Sequence, residues 1–594
     1  MCGIVGYLGH TPAKPILLDL LARLEYRGYD SCGIAIQGQP LMVFKDTRRV
    51  QELAGAVPQE VPGTVGIGHT RWATHGRVTP DNAHPHLDCL RRIAVVHNGI
   101  IDNFQELRTE LRGEGHIFSS ETDTEVIAHL IEKYYQGVLE DAARQTTARL
   151  RGSWALAALA ADEYKLVAAR QQAPMVIGIG DNAYVLASDT PAVLGHASSV
   201  IYLEDGDVAV MDKNGLVITR DGQEIERPPQ RVAWSTEDTA KNGHEHFTLK
   251  EILEQPVVIR RSLADFPAGQ ETPEGFCLLA PGEPGGMTII ACGSSYHAGL
   301  VGKQIIENLL EIPVSVINAS EYPYQPARTA SLAIAITQSG ETADVLAAAR
   351  HVKNAGIPIL AITNAPHSSI TGVSDRVIYT NAGPEVGVAA TKTFTAQLVA
   401  LIKLVLSSPR LGPQERMSLT EGLMQLPEMV ERVCTQGLSI EASARFMAGC
   451  VRTFIIGRGV NLPIAYEGAL KMKELAYIHA EGYSAGELKH GPFALLDQHT
   501  PVIAVMADDE THRAMIRNIH EVRARNSPVV ALTYDGDETL DEPGCLVVRL
   551  PRASYPLSTV VNSVALQLLA YYAAKLRGCP IDFPRNIAKS VTVE

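Results

Sequence analysis

Two segments in the second half of the chain repeat one pattern, an apolar strand followed by a glycine-containing turn and a helix. The first segment spans residues 288–295 and the second spans residues 453–459, which begins 165 residues later. The next strand of each repeat also recurs, at residues 332–337 and 502–506. Strands and helices that alternate at this spacing are typical of α/β domains with parallel sheets. The second half is therefore predicted to contain two similar α/β domains.

The length and composition of the chain limit its class further. A chain of 594 residues exceeds what one hydrophobic core supports, so we expect about three domains. Hydrophobic residues make up 46% of the chain and charged residues 20%, which is typical of a globular protein. The net charge of −14 argues against a nucleic-acid partner. No apolar run reaches membrane-spanning length, so no membrane partner is expected either.

The cysteines indicate a reducing environment. There are nine of them, scattered along the chain, and no Cys-x-x-Cys pair occurs. This spacing predicts neither a disulfide framework nor a zinc site. We expect a cytoplasmic enzyme that needs no metal and no other cofactor.

The chain begins Met1-Cys2-Gly3-Ile4-Val5-Gly6. Once methionine is removed, Cys2 carries both a thiol and a free α-amine, whose ordinary pKa values are about 8.5 and about 8. The amine can then act as general base for the thiol, as in enzymes with an N-terminal nucleophile. The alternative is a small buried cysteine at the start of a strand.

Three further polar segments lie in the first 130 residues. Residues 68–76 place Arg71, Trp72, Thr74 and His75 between glycines. In residues 93–99 an apolar strand ends in His97-Asn98-Gly99. Asn-Gly after a strand is most often a hairpin turn. The alternative is an oxyanion hole, in which the Asn98 amide and the Gly99 N–H face a developing negative oxygen.

Residues 120–125 are expected to open a helix. Thr122 and Glu125 have the spacing of a capping box. Asp123 either favours the helix dipole or binds the amine of a cationic ligand.

These four segments together resemble, in order and spacing, the class II glutamine amidotransferases. The resemblance implies a four-layer αββα sandwich over residues 2–215. It implies that Cys2 attacks the side-chain amide of L-glutamine and that Asn98 and Gly99 form the oxyanion hole. Arg71 would hold the glutamine carboxylate and Asp123 its α-amine. The loop that closes over glutamine would contain Trp72, Thr74 and His75.

A connector is predicted between the two halves of the chain. Residues 223–246 are polar and proline-containing with little periodicity, which suits a linker over residues 216–270. Within it, residues 248–255 read as a helix that Pro256 ends. The two α/β domains are then expected over residues 271–420 and 440–580.

Two loops of the first α/β domain carry hydroxyl groups. Residues 337–342 follow a strand and precede a helix, so their hydroxyls and N–H groups can cradle an anion. Residues 292–295 and 337–342 resemble the loops of sugar-isomerase (SIS) domains, which bind phosphosugars. This resemblance implies sugar-phosphate contacts from the backbone of Val388 and from a set of polar side chains: Ser294, Ser295, Thr337, Gln338, Ser339 and Thr342.

The second α/β domain contains the densest set of ionisable groups. Glu467, Lys471 and Glu474 are spaced so that one helix face presents all three. They form either a surface ladder of charges or a buried set that moves protons between neighbouring sugar carbons. His490 precedes Gly-Pro, and its ordinary pKa near neutrality suits the opening of a sugar ring.

The last fourteen residues, 581–594, combine apolar residues with one lysine, which suggests a tail docked in a pocket. The whole chain resembles the family of glutamine-dependent aminotransferases that act on D-fructose 6-phosphate. The resemblance implies a homodimer that makes D-glucosamine 6-phosphate and L-glutamate. Lys589 would form a Schiff base beside Ala588, Glu474 would move a proton between C1 and C2, and Lys471 would assist. His490 would come from the neighbouring subunit.

Two other functions were weighed against this one. An amidotransferase that makes phosphoribosylamine would need an acidic diphosphate-binding loop in the second half, and the sequence shows none. A regulator that senses phosphosugars through its SIS domains would not need Cys2, Lys471, Glu474 or Lys589.

Overall fold

The computed structural model describes residues 2–73, 75–231, 237–264, 285–325, 330–541 and 543–591, which group into two compact units. The first unit comprises Met1–Thr239 and Ala588–Glu594, and the second comprises Ala240–Ile587. In the first unit the strands are β1 (Gly3–Leu8), β2 (Ser31–Ile36), β3 (Met42–Asp46), β4 (Val65–Arg71), β5 (His86–Leu87), β6 (Ile93–Ile101), β7 (Gly152–Ala160), β8 (Lys165–Gln171), β9 (Val176–Gly180), β10 (Ala183–Ala187), β11 (Ser199–Tyr202), β12 (Asp207–Asp212), β13 (Gly215–Arg220), β14 (Gln223–Glu224) and β15 (Gln230–Arg231). Its helices are α1 (Ala13–Arg23), α2 (Val50–Ala56), α3 (Phe104–Gly113), α4 (Glu125–Tyr134), α5 (Leu139–Thr147) and α6 (Thr190–Val193).

Two antiparallel sheets stack face to face in the first unit. The first sheet has the order β15-β11-β9-β10-β1-β4-β2-β3, and the second has the order β14-β13-β12-β8-β7-β6-β5. Side chains alternate along β6: Ala94 and Val96 join the core between the sheets, whereas Ile93 and Val95 join the core beneath helices α3–α5. This alternation buries both faces of the strand.

Helix α1 covers the outer face of the first sheet. A Cβ atom at Gly66 would lie 2.7 Å from the Leu17 side chain, and one at Gly68 would lie 3.0 Å from Leu21. The two glycines of β4 therefore give the helix room to pack closely. With α3–α5 on the opposite side, the unit has the predicted four-layer αββα architecture, which is confirmed.

The first unit extends beyond the boundary predicted near residue 215. Strands β12, β13 and β14 continue the second sheet, and Gln230–Arg231 pairs with β11 of the first sheet. Residues 216–231 are therefore part of the sandwich and not of the connector. They were missed because β14 and β15 are edge strands of two mostly exposed residues each, too short for a periodic pattern.

In the second unit the strands are β16 (Gly286–Ala291), β17 (Val314–Asn318), β18 (Ala330–Thr337), β19 (Ile359–Thr363), β20 (Arg376–Tyr379), β21 (Arg452–Gly457), β22 (His479–Ser484), β23 (Val502–Val505), β24 (Val529–Tyr534) and β25 (Cys545–Leu550). Its helices are α7 (Phe247–Leu253), α8 (Gln255–Ala264), α9 (Gly293–Leu310), α10 (Ala343–Asn354), α11 (Ser369–Val373), α12 (Lys392–Leu406), α13 (Pro413–Thr435), α14 (Gly437–Ala448), α15 (Leu462–Ala476), α16 (His512–Arg523) and α17 (Ser558–Leu576).

The second unit contains two parallel sheets with the same strand order, which confirms the predicted repeat. The first runs β17-β16-β18-β19-β20 and the second runs β22-β21-β23-β24-β25. One face of each sheet contributes to a shared apolar core, through residues such as Ile289 and Ile455. The opposite faces have their own cores, which include Ile290 and Ile456. Both sheets are thus buried on both sides, as parallel sheets usually are.

The predicted connector helix is two helices that belong to the second unit. Helix α7 ends at Leu253 and α8 begins at Gln255, so Pro256 lies in the first turn of a helix, where its missing N–H costs nothing. The Asp582 carboxylate accepts hydrogen bonds from the N–H groups of Phe247 and Thr248, both at 3.0 Å. This anion at a helix N-terminus fixes α7 against the C-terminal segment.

Helix α17 is buried along almost its whole length, including the ring of Tyr571. It packs against α13, α14 and α15. Among the residues that the structure describes, no helix combines the length and the apolar character needed to cross a membrane.

Candidate active sites

Cys2 lies where β1 begins, beside the end of β4. Gly3 pairs with Thr70, which brings the thiol next to Arg71 and Trp72. The Trp72 N–H donates a hydrogen bond to Cys2 Sγ at 3.2 Å. Burial raises the pKa of the Cys2 thiol, and the Trp72 N–H and the Arg71 guanidinium partly offset this effect.

Asn98 and Gly99 lie inside β6 and not in a turn, so the hairpin interpretation of Asn-Gly is wrong. They pair with Ala155 and Trp154 of β7. Gly99 has φ 110°, and a Cβ atom there would lie 1.9 Å from the Ser153 carbonyl oxygen. The position therefore requires glycine.

The Asn98 side chain is directed at Cys2. Its Nδ2 donates to the Cys2 carbonyl oxygen at 3.1 Å, and its Oδ1 lies 3.1 Å from His69 Nε2. The histidine holds the amide with its NH2 group toward Cys2. An amide donor beside the thiol is what an oxyanion hole needs.

One cleft brings most of the residues predicted for glutamine together. Those that line it are Cys2, Arg71, Trp72, His75, Gly99 and Asp123, joined by His84, His97, Thr122 and Thr124. Thr74, also predicted here, lies outside the described residues. The Trp72 ring meets Tyr29 edge to face, with the ring centroids 5.7 Å apart.

One cation and one anion face this cleft. Arg71 is buried and donates to the carbonyl oxygens of Gly76 and Arg77, both at 3.2 Å. The buried Asp123 carboxylate accepts a hydrogen bond from the Ile101 N–H at 2.9 Å. A fixed cation and a fixed anion in one cleft suit an amino acid, which carries both charges.

The capping box predicted for residues 122–125 is wrong. Helix α4 begins at Glu125 itself, and its carboxylate turns back to accept the N–H groups of Ser119 and Ser120, both at 2.7 Å. Because the helix starts two residues later than predicted, residues 122–124 precede it and line the cleft.

A cluster of four buried histidines, two of which line the cleft, was not predicted from the sequence. The rings of His69 and His84 stack with centroids 3.9 Å apart, and His86 and His97 adjoin them. Burial lowers the pKa of all four, that of His69 to about 3, so they are neutral at pH 7. The sequence His84-Pro85-His86, with both rings on one side, was the available signal.

In the second unit, the two hydroxyl-rich loops follow β16 and β18. These neighbouring strands lead in opposite directions through the sheet order, so their carboxyl ends form a topological switch point, where α/β sheets bind ligands. Thr337 Oγ1 accepts the Gly340 N–H at 3.2 Å, and Ser339 Oγ accepts the Glu341 N–H at 3.2 Å. Thr342 is the residue before α10, whose first N–H groups face the same loop.

The remaining polar residues of this site differ in their partners. Ser295 Oγ accepts a hydrogen bond from Gln397 at 3.0 Å, and the Gln338 carbonyl oxygen accepts the Asn364 N–H at 3.1 Å. The Val388 N–H donates to the Asp582 carbonyl oxygen at 3.1 Å. Since a protein acceptor already occupies this donor, Val388 does not offer its N–H to a ligand here.

Glu467, Lys471 and Glu474 share one face of α15, and Lys471 is fully buried between the two acids. Lys471 Nζ lies 2.5 Å from Glu474 and 3.4 Å from Glu467. Burial would lower the pKa of Lys471, but the two carboxylates outweigh it and raise the pKa above its ordinary value. The amine is therefore a permanent cation. The surface-ladder interpretation is wrong.

Glu467 also connects this helix to the first hydroxyl loop. Ser294 Oγ donates to one of its oxygens at 2.8 Å, and His297 Nδ1 lies 2.8 Å from the other. The two repeats of the second unit thus meet at one polar cluster that contains residues from α9 and α15.

Three further residues predicted for the sugar site have the following positions within their own units. His490 is exposed at the end of a short 3₁₀ turn of the second unit. Ala588 and Lys589 group with the first unit, where the Lys589 N–H donates to the Tyr26 carbonyl oxygen at 3.4 Å.

Comparisons with known proteins agree with the sequence resemblances. A family model for the glutamine amidotransferase domain matches residues 69–195, and one for the SIS domain matches residues 285–407 and 446–577. Glutamine–fructose-6-phosphate aminotransferase (isomerizing) of Methanosarcina acetivorans is 44% identical over 618 residues, which cover 100% of both chains. The protein of the same name from Thermus thermophilus is 44% identical over 604 residues, again covering 100% of both.

A solved structure matches the second unit. The C-terminal domain of glucosamine-fructose-6-phosphate aminotransferase from Francisella tularensis is 35% identical, with a TM-score of 0.55. The match covers 58% of this chain and 100% of that one.

Proposed function

The chain belongs to the glutamine–fructose-6-phosphate aminotransferase (isomerizing) family, and from that membership we propose which of its residues carry out each half of the reaction. The protein converts D-fructose 6-phosphate and L-glutamine into D-glucosamine 6-phosphate and L-glutamate. Glutamine hydrolysis is assigned to the first unit and sugar amination to the SIS repeats of the second. Relatives that align over their full length leave no support for the phosphoribosylamine and sensor alternatives.

In the glutaminase half, Cys2 is the nucleophile after removal of Met1. Its α-amine takes the thiol proton, and the thiolate attacks the side-chain amide carbon of glutamine. Asn98 and Gly99 stabilise the oxyanion, ammonia leaves, and water then hydrolyses the thioester to glutamate. The observation that carries this assignment is the Asn98 amide on the Cys2 carbonyl oxygen, beside a cleft that Cys2 lines together with Arg71 and Asp123.

In the sugar half, the loop at residues 337–342 and Ser294–Ser295 hold the phosphate and hydroxyls of fructose 6-phosphate. His490, supplied by the second subunit of a homodimer, opens the ring. The exposure of His490 in a single chain supports this role, because a neighbouring subunit can reach it. Val388 stays in the proposed sugar site only as a hydrogen-bond acceptor, through its backbone carbonyl oxygen.

The amination itself is assigned to Lys589 and Glu474. Lys589 condenses with the C2 carbonyl and releases water, and ammonia then displaces the lysine amine from the imine. Glu474 removes a proton from C1 and returns one to C2, which gives the 2-amino aldose. The raised pKa of Lys471 supports the choice of Lys589 over Lys471 as the amine that forms the imine. A protonated amine is not a nucleophile, but it stabilises negative charge near C2.

Two further parts of the proposal concern the whole enzyme. Ammonia passes from one site to the other within the protein, and Trp72, whose N–H contacts Cys2 Sγ, forms the gate. The enzyme works in the cytoplasm, which agrees with eight described cysteines that are all free thiols.

The test is to supply fructose 6-phosphate with either glutamine or ammonium and to identify glucosamine 6-phosphate by mass. Cys2→Ala should abolish synthesis from glutamine and retain synthesis from ammonium. Synthesis from glutamine by Cys2→Ala at the wild-type rate would refute the nucleophile assignment. Trp72→Ala should still release glutamate but form less amino sugar per glutamate, and unchanged coupling would refute the gate.

A further inference from the structure

Four side chains with metal-binding atoms converge on the surface of the first unit, away from the glutamine cleft. Cys89 lies in the loop between β5 and β6, His116 follows α3, and His129 and Glu132 lie one turn apart on α4. One sulfur, two nitrogens and one carboxylate oxygen all lie within 4.8 Å of one another. Because the four positions come from three separate segments, no short sequence motif marks them.

The distances between these atoms are close to those of a tetrahedral zinc site. Cys89 Sγ lies 3.7 Å from His116 Nδ1 and 3.5 Å from His129 Nδ1. Glu132 Oε2 lies 2.9 Å from His116 Nδ1 and 3.2 Å from His129 Nδ1. Zinc bonds of about 2.0–2.3 Å place tetrahedral ligand atoms roughly 3.3–3.8 Å apart. Shifts of a few tenths of an ångström bring these four pairs to zinc distances, and the remaining two pairs lie within 4.8 Å.

We propose that Cys89, His116, His129 and Glu132 form a structural site for one zinc ion. The donor set of sulfur, imidazole nitrogen and carboxylate oxygen matches zinc, whereas calcium and magnesium prefer oxygen alone. A thiolate and a carboxylate together balance the charge of the ion. Binding converts the Cys89 thiol to a thiolate, and its proton passes to solvent.

Groups next to the four ligands support the site. His129 is 1% exposed, and its other nitrogen, Nε2, lies 3.7 Å from a Glu125 carboxylate oxygen. At this distance the carboxylate lies beyond hydrogen-bond range of the ring, but it is the type of group that orients a ligating histidine in zinc sites. Glu125 is itself held by the N–H groups of Ser119 and Ser120. The Ile117 N–H, 3.5 Å from Cys89 Sγ, is a further donor toward the sulfur.

The position of the site indicates what the ion does. Its ligands join the loop before β6, the connection between α3 and α4, and α4 itself. Helix α4 begins directly after Asp123 and Thr124, which line the glutamine cleft. Zinc at this site therefore braces the segment that carries Asp123. Cys89 is exposed, which gives the ion a path from solvent.

The experiment uses the full-length enzyme, reduced and stripped with a chelator, then titrated with Co²⁺ and with Zn²⁺. Wild type should bind one ion per chain, with the charge-transfer absorption of a Co²⁺–thiolate bond and a higher melting temperature with zinc. Cys89→Ser should lose the absorption and the zinc-dependent rise in melting temperature. Glu132→Gln should weaken zinc binding at least about tenfold.

Two controls separate this site from other thiols. Cys450→Ser, in the second unit, should bind the metals like wild type. Cys2→Ala should also keep one ion per chain; it is tested because Cys2 lines a cleft that contains histidines. Loss of binding in Cys2→Ala with retention in Cys89→Ser would overturn the proposal. So would a wild-type protein with no cobalt–thiolate absorption, a measurement that depends on no variant; the four side chains would then be a hydrogen-bonded cluster only.

Discussion

At the scale of single residues, Gly99 has the most demanding backbone position of the glutamine site. A Cβ atom there would lie 1.9 Å from the Ser153 carbonyl oxygen, and φ is 110°. Gly99→Ala must therefore push β6 away from β7 beside the proposed oxyanion hole. We expect glutaminase activity to fall at least about 100-fold, in line with loss of an oxyanion donor, together with a lower melting temperature.

Gly113→Ala is the matched control for this change, because a Cβ atom at Gly113 would meet nothing within 4 Å. It should keep wild-type activity and melting temperature. Equal activity of the two variants would mean that the close approach at Gly99 is not needed for catalysis.

The two lysines assigned to the sugar half can be distinguished by covalent trapping. Lys471 is held as a cation by Glu467 and Glu474, so it should not form an imine at neutral pH. Borohydride reduction in the presence of fructose 6-phosphate, followed by peptide mapping, should place the sugar adduct on Lys589. Lys589→Arg should form no adduct and keep its glutaminase activity. An adduct on Lys471 would reverse the assignment.

At the scale of elements, the histidines packed between β4, β5 and β6 make the first unit sensitive to acid. Burial lowers the pKa of His69 to about 3, while histidines in the unfolded chain bind protons near pH 6.5. Below about pH 6.5 the unfolded state holds more protons, so the free energy of unfolding falls as pH falls toward about 3. Above that window these groups contribute no pH dependence.

Urea unfolding followed by tryptophan fluorescence, at about pH 7.5 and about pH 5, measures this effect. The slope approaches about 1.4 kcal/mol per pH unit for each histidine that stays neutral in the folded state. His86→Gln should flatten the dependence, whereas His10→Gln, an exposed histidine, should leave it unchanged. Equal slopes for the two variants would show that the cluster does not govern acid stability.

The loop before α10 gives a second prediction at this scale. Thr342→Val removes a hydroxyl that lies 3.3 Å from Thr337 Oγ1 at the helix N-terminus. If this loop holds the phosphate, KM for fructose 6-phosphate should rise about tenfold, which corresponds to about 1.4 kcal/mol for one hydrogen bond to a charged group. Glutaminase activity should not change. Thr420→Val, on α13, is the control, and an unaltered KM for Thr342→Val would remove the loop from the site.

The sequence predicted the strands and helices of the repeats well, because apolar strands followed by glycine-containing turns are strong local signals. It predicted a turn at Asn98-Gly99 as the commoner alternative, although only the pairing of β6 with β7 decides that position. The helix start at Glu125 and the edge strands β14 and β15 were missed for a similar reason. Their conformation depends on contacts with distant parts of the chain, which a local pattern does not contain.

The candidate sites show the same difference between local patterns and long-range contacts. Cys2, Arg71 and Asp123 could be placed in one cleft because a family resemblance supplied the long-range contacts. The histidine cluster and the Cys89 site were missed, since each is assembled from separate segments with no fixed spacing. The burial of Lys471 between two acids could be suspected from helical periodicity, but the sequence alone did not distinguish it from a surface ladder.

At the scale of the whole molecule, two compact units predict two unfolding transitions. L-Glutamine added to Cys2→Ala, which binds but does not hydrolyse it, should raise only the transition of the first unit. At 100 times Kd the stabilisation is about 2.7 kcal/mol. Calorimetry with and without glutamine measures this. A single transition, or equal shifts of both, would show that the units unfold together.

The identical strand order of the two five-stranded sheets also has an evolutionary consequence. Gene duplication gives each copy the same helix after its first strand, α9 in one and α15 in the other. One copy presents Ser294 and Ser295 there, and the other presents Glu467, Lys471 and Glu474. Once both helices contributed to one polar cluster, each copy lost the freedom to keep a complete site of its own. After the two repeats diverged, each supplied different residues of the cluster, so neither repeat alone contains the complete set.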